Sequence, residues 1–259
     1  MMELQFVILL LGTIAFSTIE AQTNDTDSIY ETPEYILPCY KADPEINTCL
    51  RGTFNHLRPY LINGLTDINV PSIDPLIIDR LLIENGHGAF RIRALFNNIT
   101  VNGASNYTIG KIKADVDHWN IELGINLPRI EIRGKYEVGG NVLLFPVRSK
   151  GNFWAIFLEV EAAAKIFGKE IENEEGVRFM KIERMLTDFK LGKSRFRVRD
   201  VVNNGNIIGE AINQFLNNNA DEIIREMKPA ASQSISRHFA AFLNSAFLKV
   251  PIKVWLPDA

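Results

Sequence analysis

From Ile130 to Val138 the chain alternates strictly. Ile130, Ile132, Tyr136 and Val138 fall on one side, and Glu131, Arg133, Lys135 and Glu137 on the other. A period of two marks a strand with one buried face. The same pattern runs through "FRIRALF" (Phe90, Ile92, Ala94 and Phe96 together), "WNIELGINL" (Trp119 to Leu127), "NFWAIFLEVEA", "VRFMKIERM" and "RFRVRD". After Gly139-Gly140-Asn141 the alternation gives way to "VLLFPV", which has no polar partner positions. Two registers fit this change. One is a hairpin about Gly139-Gly140 that pairs Val138 with Asn141 and Tyr136 with Leu143. The other is a single strand bent at the two glycines.

On either side of this β-rich middle the spacing becomes helical. Ile46, Cys49, Leu50, Thr53, Phe54, Leu57, Tyr60 and Leu61 recur at three and four, which predicts helix over about 46–65. "PSIDP" at 71–75 then breaks the chain. Near the C-terminus one apolar stripe runs from Ile207 to Leu216 and a second from Ile223 to Phe247. Pro229 lies inside the second and is expected to kink or restart that helix. Helix, then many antiparallel strands, then long helices is the order of an α+β domain; no strand–helix–strand unit recurs. No linker rich in Pro, Gly or Ser divides 33–259, which is read as one domain.

The N-terminus reads as a targeting segment. Phe6–Phe16 is an apolar run too short to span a bilayer, with small residues following, as in a cleaved signal peptide over 1–21. A polar, flexible leader over 22–32 follows. Secretion changes the reading of Cys39 and Cys49, the two cysteines present: in an oxidising compartment they are expected to pair. A metal site would need further ligands nearby, and the four histidines form no cluster. Sequons at Asn24, Asn98 and Asn106 predict a glycoprotein.

Charge narrows the partners. The formal net charge of the 259-residue chain is −3. Loss of 1–21 removes Glu3 and Glu20 and no basic residue, leaving −1. Nucleic-acid binding is therefore not expected. The one dense basic run, Lys193–Arg199, alternates and reads as the wet face of a strand. Catalytic motifs are missing: there is no Gly-x-Ser-x-Gly elbow, Walker loop or His-Glu-x-x-His. "NNGNIIG" at 203–209 reads as a turn and helix start. Asp115 and Asp117 read as the exposed side of a strand. Neither enzymatic activity nor a cofactor or metal is expected. What remains is apolar: 16 Phe, and strands such as "NVLLFPV" and "NFWAIFLEV" that are apolar on both faces. Such strands fill a core or line a cavity for a water-insoluble molecule.

Four separated motifs in order carry a family resemblance. They are the close Cys39/Cys49 pair followed by "VPSIDPLIID" (70–79), "GKYEVGGNVLLFPVRSKGNF" (134–153), "FLNNNADEIIREMKP" (215–229) and "VPIKVWLPD" (250–258). Together they resemble the takeout family of secreted insect proteins, related to haemolymph juvenile-hormone-binding proteins. The resemblance implies a long C-terminal helix wrapped by a strongly curved antiparallel sheet that encloses an apolar tunnel. The implied ligand is elongated and hydrophobic, a juvenile-hormone-like terpenoid or a fatty acid. Haemolymph or a similar fluid is the implied location, with roles in feeding, chemosensory or circadian physiology. It also favours the bent strand at Gly139-Gly140. Inner-face candidates for ligand contact are Phe90, Ile92, Trp119, Ile121, Ile132, Tyr136, Phe153, Trp154 and Phe239. No stable membrane insertion is expected. The alternative function is a secreted protein that acts on lipid surfaces, which requires an exposed basic or aromatic patch.

Overall fold

The computed structural model describes residues 32–142, 144–201 and 207–258. Two short helices, α1 (Ile46–His56) and α2 (Arg58–Leu61), precede six strands. These are β1 (Leu76–Asn85), β2 (Phe90–Asn102), β3 (Thr108–Asp115), β4 (Asn120–Val142), β5 (Phe145–Glu172) and β6 (Arg178–Asp200). Three helices follow: α3 (Ile207–Asn218), α4 (Ala220–Phe247) and α5 (Ile252–Trp255). All strand pairs are antiparallel, in the order β1-β2-β4-β5-β6, with β3 beside the first half of β4. The α+β class, the curved antiparallel sheet and the long C-terminal helix match expectation; the sheet stays open. At 3.3 Å per residue, the 28 residues of β5 would extend about 90 Å. The 28 residues of α4 span about 42 Å. Strands of that length fit this helix only by coiling around it.

"WNIELGINL" and the alternating stretch after it are one strand, β4. Its register against β5 is unbroken from Asn120↔Phe167 to Val142↔Phe145. The apolar phase nevertheless switches at Pro128. Ile121, Leu123, Ile125 and Leu127 precede it in odd positions; Ile130, Ile132, Tyr136 and Val138 follow in even ones. The neighbouring strands switch at the same level. Glu159 takes a positive φ of 53° opposite Pro128, and Gly192 lies opposite Glu159. A Cβ on Gly192 would come within 2.7 Å of Glu159 Cβ, so glycine is required where that side chain crosses. Pro128–Glu159–Gly192 is therefore a crease through three strands. It turns the sheet while keeping one face apolar.

Neither register foreseen at Gly139-Gly140 is observed. The strand runs straight through both glycines to Val142, and the turn follows it, so Phe145–Val147 already belong to β5. Tyr136 pairs with Gly151 and Val138 with Ser149, not with Leu143 and Asn141. Gly140 serves a close approach instead; a Cβ on Gly139 would meet nothing within 4 Å. Gly140 has φ 142°, and a Cβ there would stand 2.8 Å from Ile92 Cα on β2.

Helices cover the open edges of the sheet. On β6, Asn244 of α4 donates to Ile182 O at 2.9 Å and accepts its N–H at 2.8 Å. Asn213 of α3 bonds Val198 in the same two-way manner, and Asn217 bonds Phe196. On β3, Asn55 of α1 brackets Ile109, and Asn47 accepts the Ala114 N–H. The opposite edge, β1, receives Ser234 of α4 on Leu82 O at 2.5 Å. Helix α4 thus bridges β1 and β6. It stays continuous through Pro229, which is exposed, so the expected break does not occur. Asp74 of the "PSIDP" segment accepts the backbone N–H groups of Gly103 and Ser105 and the Ser105 hydroxyl. The break in the chain is thereby fixed to the end of β2. The Cys39–Cys49 disulfide is formed as expected.

Replacing Asn244 with Leu strands one N–H and one C=O of Ile182. A loss of about 2 kcal/mol is expected from an unsatisfied buried pair, read as a lower urea midpoint. Asn218→Leu, on an exposed position of α3, is expected to change stability by less than about 0.5 kcal/mol.

Candidate functional site

The concave face of the sheet looks onto α4, and the two halves of that interior are packed differently. At the disulfide end, Leu50, Met180, Leu256 and Cys39 are each under 2% exposed. Cys39 donates its N–H to Trp255 O at 3.0 Å, which ties the disulfide to α5. At the other end the inner face is aromatic and only half-buried. Phe96 meets Phe153 edge-on with centroids 5.1 Å apart, Phe157 meets Phe196 at 5.7 Å, and Phe239 meets Phe242 on α4 at 6.3 Å. All six retain accessible surface. A filled core buries such rings fully.

Of the nine residues expected to contact ligand, Ile132, Phe153 and Phe239 come together here. They pack against a buried cluster of Leu76, Ile78, Ile99 and Val101. Tyr136 lies on the same face, 5% exposed. Ile92, half-buried, pairs with Gly140 in the same half of the sheet. Phe90, placed here by its backbone alone, opens β2 opposite Val142. Trp119 and Ile121 are elsewhere: Trp119 packs edge-on against Trp255 at 6.4 Å, and Ile121, 3% exposed, is core in the disulfide half. Trp154 is on the outer face, since it follows inward-facing Phe153 by one position. Its indole N–H donates to Glu131 Oε1 at 3.0 Å.

Sequence reasoning set Phe96 on one face with Phe90 and Ile92 but did not name it, or Phe157, Phe196 and Phe242, among the ligand-contact candidates. Reading the phase switch at Pro128 would have linked Phe157 to Ile130, its partner across the strands. It also missed a buried polar chain. Ser149, 5% exposed, donates to Asp200 Oδ2 at 2.8 Å. With that proton committed, the Tyr136 hydroxyl donates to Ser149 Oγ at 2.7 Å. Asp200 is 2% exposed. Its signal was present: it falls on the apolar phase of β6, in line with Phe196 and Val198. Burial pushes the Tyr136 phenol above its ordinary range, and the Asp200 charge adds to the rise. Serine bonds aspartate directly here, with no imidazole between them, which is a structural arrangement and not a nucleophile with its base.

The histidines and remaining acidic residues sit at the surface or in the helix. Asp115 and Asp117 flank a turn beyond β3: Asp115 pairs with His118 and Asp117 with Lys41. Among the described residues, no three His, Cys, Asp or Glu side chains are grouped as metal ligands. Burial lowers the pKa of His238 on α4. Asn98 and Asn106 of the sequons are exposed. Asn24, the proposed signal segment 1–21 and all but Thr32 of the leader lie outside the described residues.

The class that this fold defines is an open wrap of antiparallel sheet around a long helix, with a half-buried aromatic inner face. The chain belongs to the family described as haemolymph juvenile hormone binding protein, whose family model matches residues 10–257. The circadian clock-controlled protein daywake of Drosophila melanogaster is 21% identical over 224 residues, covering 83% of this chain and 85% of that protein. Its Drosophila yakuba counterpart is 21% identical over 199 residues, covering 73% of this chain and 75% of that protein. In fold, the chain is similar to the crystal structure of Epiphyas postvittana Takeout 1. The TM-score is 0.70 at 19% identity, over 85% of this chain and 98% of that one.

The Trp154 hydrogen bond, followed by Arg133 and Arg129, holds the Glu131 carboxyl down to about 2. A depressed carboxylate contributes to stability above its unfolded pKa and loses that contribution as pH falls through the folded value. The Trp154 indole N–H resonance is therefore expected to titrate with a midpoint below pH 3. A midpoint at pH 4 or above would show that the contact does not form in solution.

Proposed function

We propose that the protein is a secreted carrier that holds a small, elongated hydrophobic molecule between the concave face and α4, in an apolar tunnel. The observation that carries this is the half-buried aromatic lining at one end of a fold whose other end holds its four most deeply buried side chains. Accessible apolar surface inside a wrap is stabilised by a ligand at about 25 cal/mol per Å² removed from water. Phe96, Phe153, Phe157, Phe196 and Phe239 supply that surface, with Ile132 between them. The family's description as hormone-binding supports a hydrophobic ligand.

The ligand class we propose is an elongated terpenoid or a fatty acid, either of which would lie along the aromatic lining. Cleavage of a signal peptide over 1–21 and glycans on Asn24, Asn98 and Asn106 would place the carrier in haemolymph or a similar fluid. A circadian role draws support from the printed description of the daywake relatives. The carrier is proposed to act without turnover of its ligand.

Organic extraction of the purified protein followed by mass spectrometry is expected to release a lipid. An apolar fluorescent probe is expected to bind, and to be displaced by a sesquiterpenoid ester or by palmitate; the stronger of the two identifies the ligand class. Phe153→Ala and Phe239→Ala, assayed where both remain folded, should each weaken the probe at least fivefold. No lipid and no probe binding would sink the proposal.

A further inference from the structure

The turn that joins β4 to β5 carries the largest exposed apolar side chains of the described surface. Leu144 is 87% exposed and Phe145 70%. Among the described residues nothing packs over them, although both would be costly to leave in water. The strands leaving this turn carry cations on their outer face: Arg91 on β2, opposite Asn141, and Arg148 on β5, opposite Gly139. Both stand about 10 Å of strand length from the tip. Farther back, β6 presents Lys193, Arg195, Arg197 and Arg199 on that same face. None of these four has an ion-pair partner among the described residues.

The opposite end of β5 mixes its charges. Around the β5–β6 turn Glu170, Glu172, Glu174 and Glu175 stand among Lys169, Arg178 and Lys181, and Arg178 pairs with Glu170 and Lys169 with Glu183. The basic run Lys193–Arg199 has no such mixture on its face of β6, and it draws that face toward an anionic surface.

We infer that the Leu144–Phe145 tip and the basic outer face behind it dock peripherally on an anionic lipid bilayer. The apolar pair enters the interface, as small hydrophobic anchors do, while the arginines meet the headgroups. Docking needs no spanning segment, and among the described residues no helix is long and apolar enough to cross a membrane. It goes beyond the carrier reading and does not require it, because it uses the outer face and not the interior.

Flotation of the full chain with vesicles tests this. Wild type is expected to float with phosphatidylcholine vesicles containing 30% phosphatidylserine at physiological salt, and not with phosphatidylcholine alone. Leu144→Asp with Phe145→Asp is expected to reduce the bound fraction at least tenfold. Arg195→Glu with Arg197→Glu should do the same. Both double variants should keep the wild-type unfolding midpoint and the affinity for the apolar probe, since all four side chains are exposed. Absence of flotation with anionic vesicles, or undiminished flotation of the tip variant, overturns the inference. Loss of probe binding by wild type would count against the carrier reading and leave this one standing.

Discussion

Everything in this fold depends on how the unpaired edges of an open sheet are covered. A curled sheet that does not close leaves rows of N–H and C=O groups along its outer strands, and uncovered edges invite pairing with other chains. Here helices cover them with asparagine. The side-chain amide presents one donor and one acceptor side, as a peptide group does, so Asn244, Asn213 and Asn217 each stand in for a residue of a missing neighbour strand beside β6. Asn55 does so beside β3. Because α4 reaches β1 through Ser234 and β6 through Asn244, its own diameter of about 10–12 Å limits how far the two edges can separate. The curvature of the sheet and the space inside it follow from that limit.

Curvature also has to be reconciled with alternation. Strands of 23 and 28 residues that alternated without a break would turn their apolar faces away from α4 as they coiled. The crease at Pro128, Glu159 and Gly192 puts two successive outward residues into each of three strands and restores the inward face beyond it. It also divides the interior. On one side small and aliphatic residues, Ala162, Ala164 and Ile166 on β5, lie against a tightly packed disulfide end. On the other side Phe153 and Phe157 on β5 begin the aromatic lining. One backbone irregularity thus separates the part that holds the fold from the part that is open to a ligand.

Much of this was legible in the residues. Alternation located the strands, helical spacing located the helices, and the disulfide followed from two cysteines in an oxidising context. The turn after β4 was not legible, because Gly139-Gly140 looks like a hairpin or a bend in sequence. Gly140 is there because β2 approaches too closely for a Cβ, a constraint set by Arg91 and Ile92, nearly fifty residues earlier. Trp154 was misplaced for a related reason. In "NFWAIF" apolar residues occupy both phases, so periodicity cannot say which faces inward, and only the pairing of Phe153 with Phe96 settles it. Pro229 illustrates the opposite error: a local rule predicted a break that packing of α4 along both sheet edges overrides. Asp200, by contrast, stood in an apolar phase in plain view, a buried carboxylate whose partners no local pattern could supply.

Net charge is a sum and does not say where the charges lie. A value near zero argues against attraction to a charged surface only when the charges are mixed everywhere. In this chain Lys193, Arg195, Arg197 and Arg199 share the outer face of β6 without an ion pair among the described residues, so a basic face coexists with a nearly neutral sum. The half of the interior that stays open lies at the arginine end, where Tyr136 pairs with Phe96 and Gly151 with Asp200. For a carrier of a molecule that barely dissolves in water, exchange with a lipid phase is limited by the distance the molecule must travel exposed. The docking tip proposed for the aromatic half would shorten that path, whereas one at the disulfide end would leave the whole length of the wrap to cross.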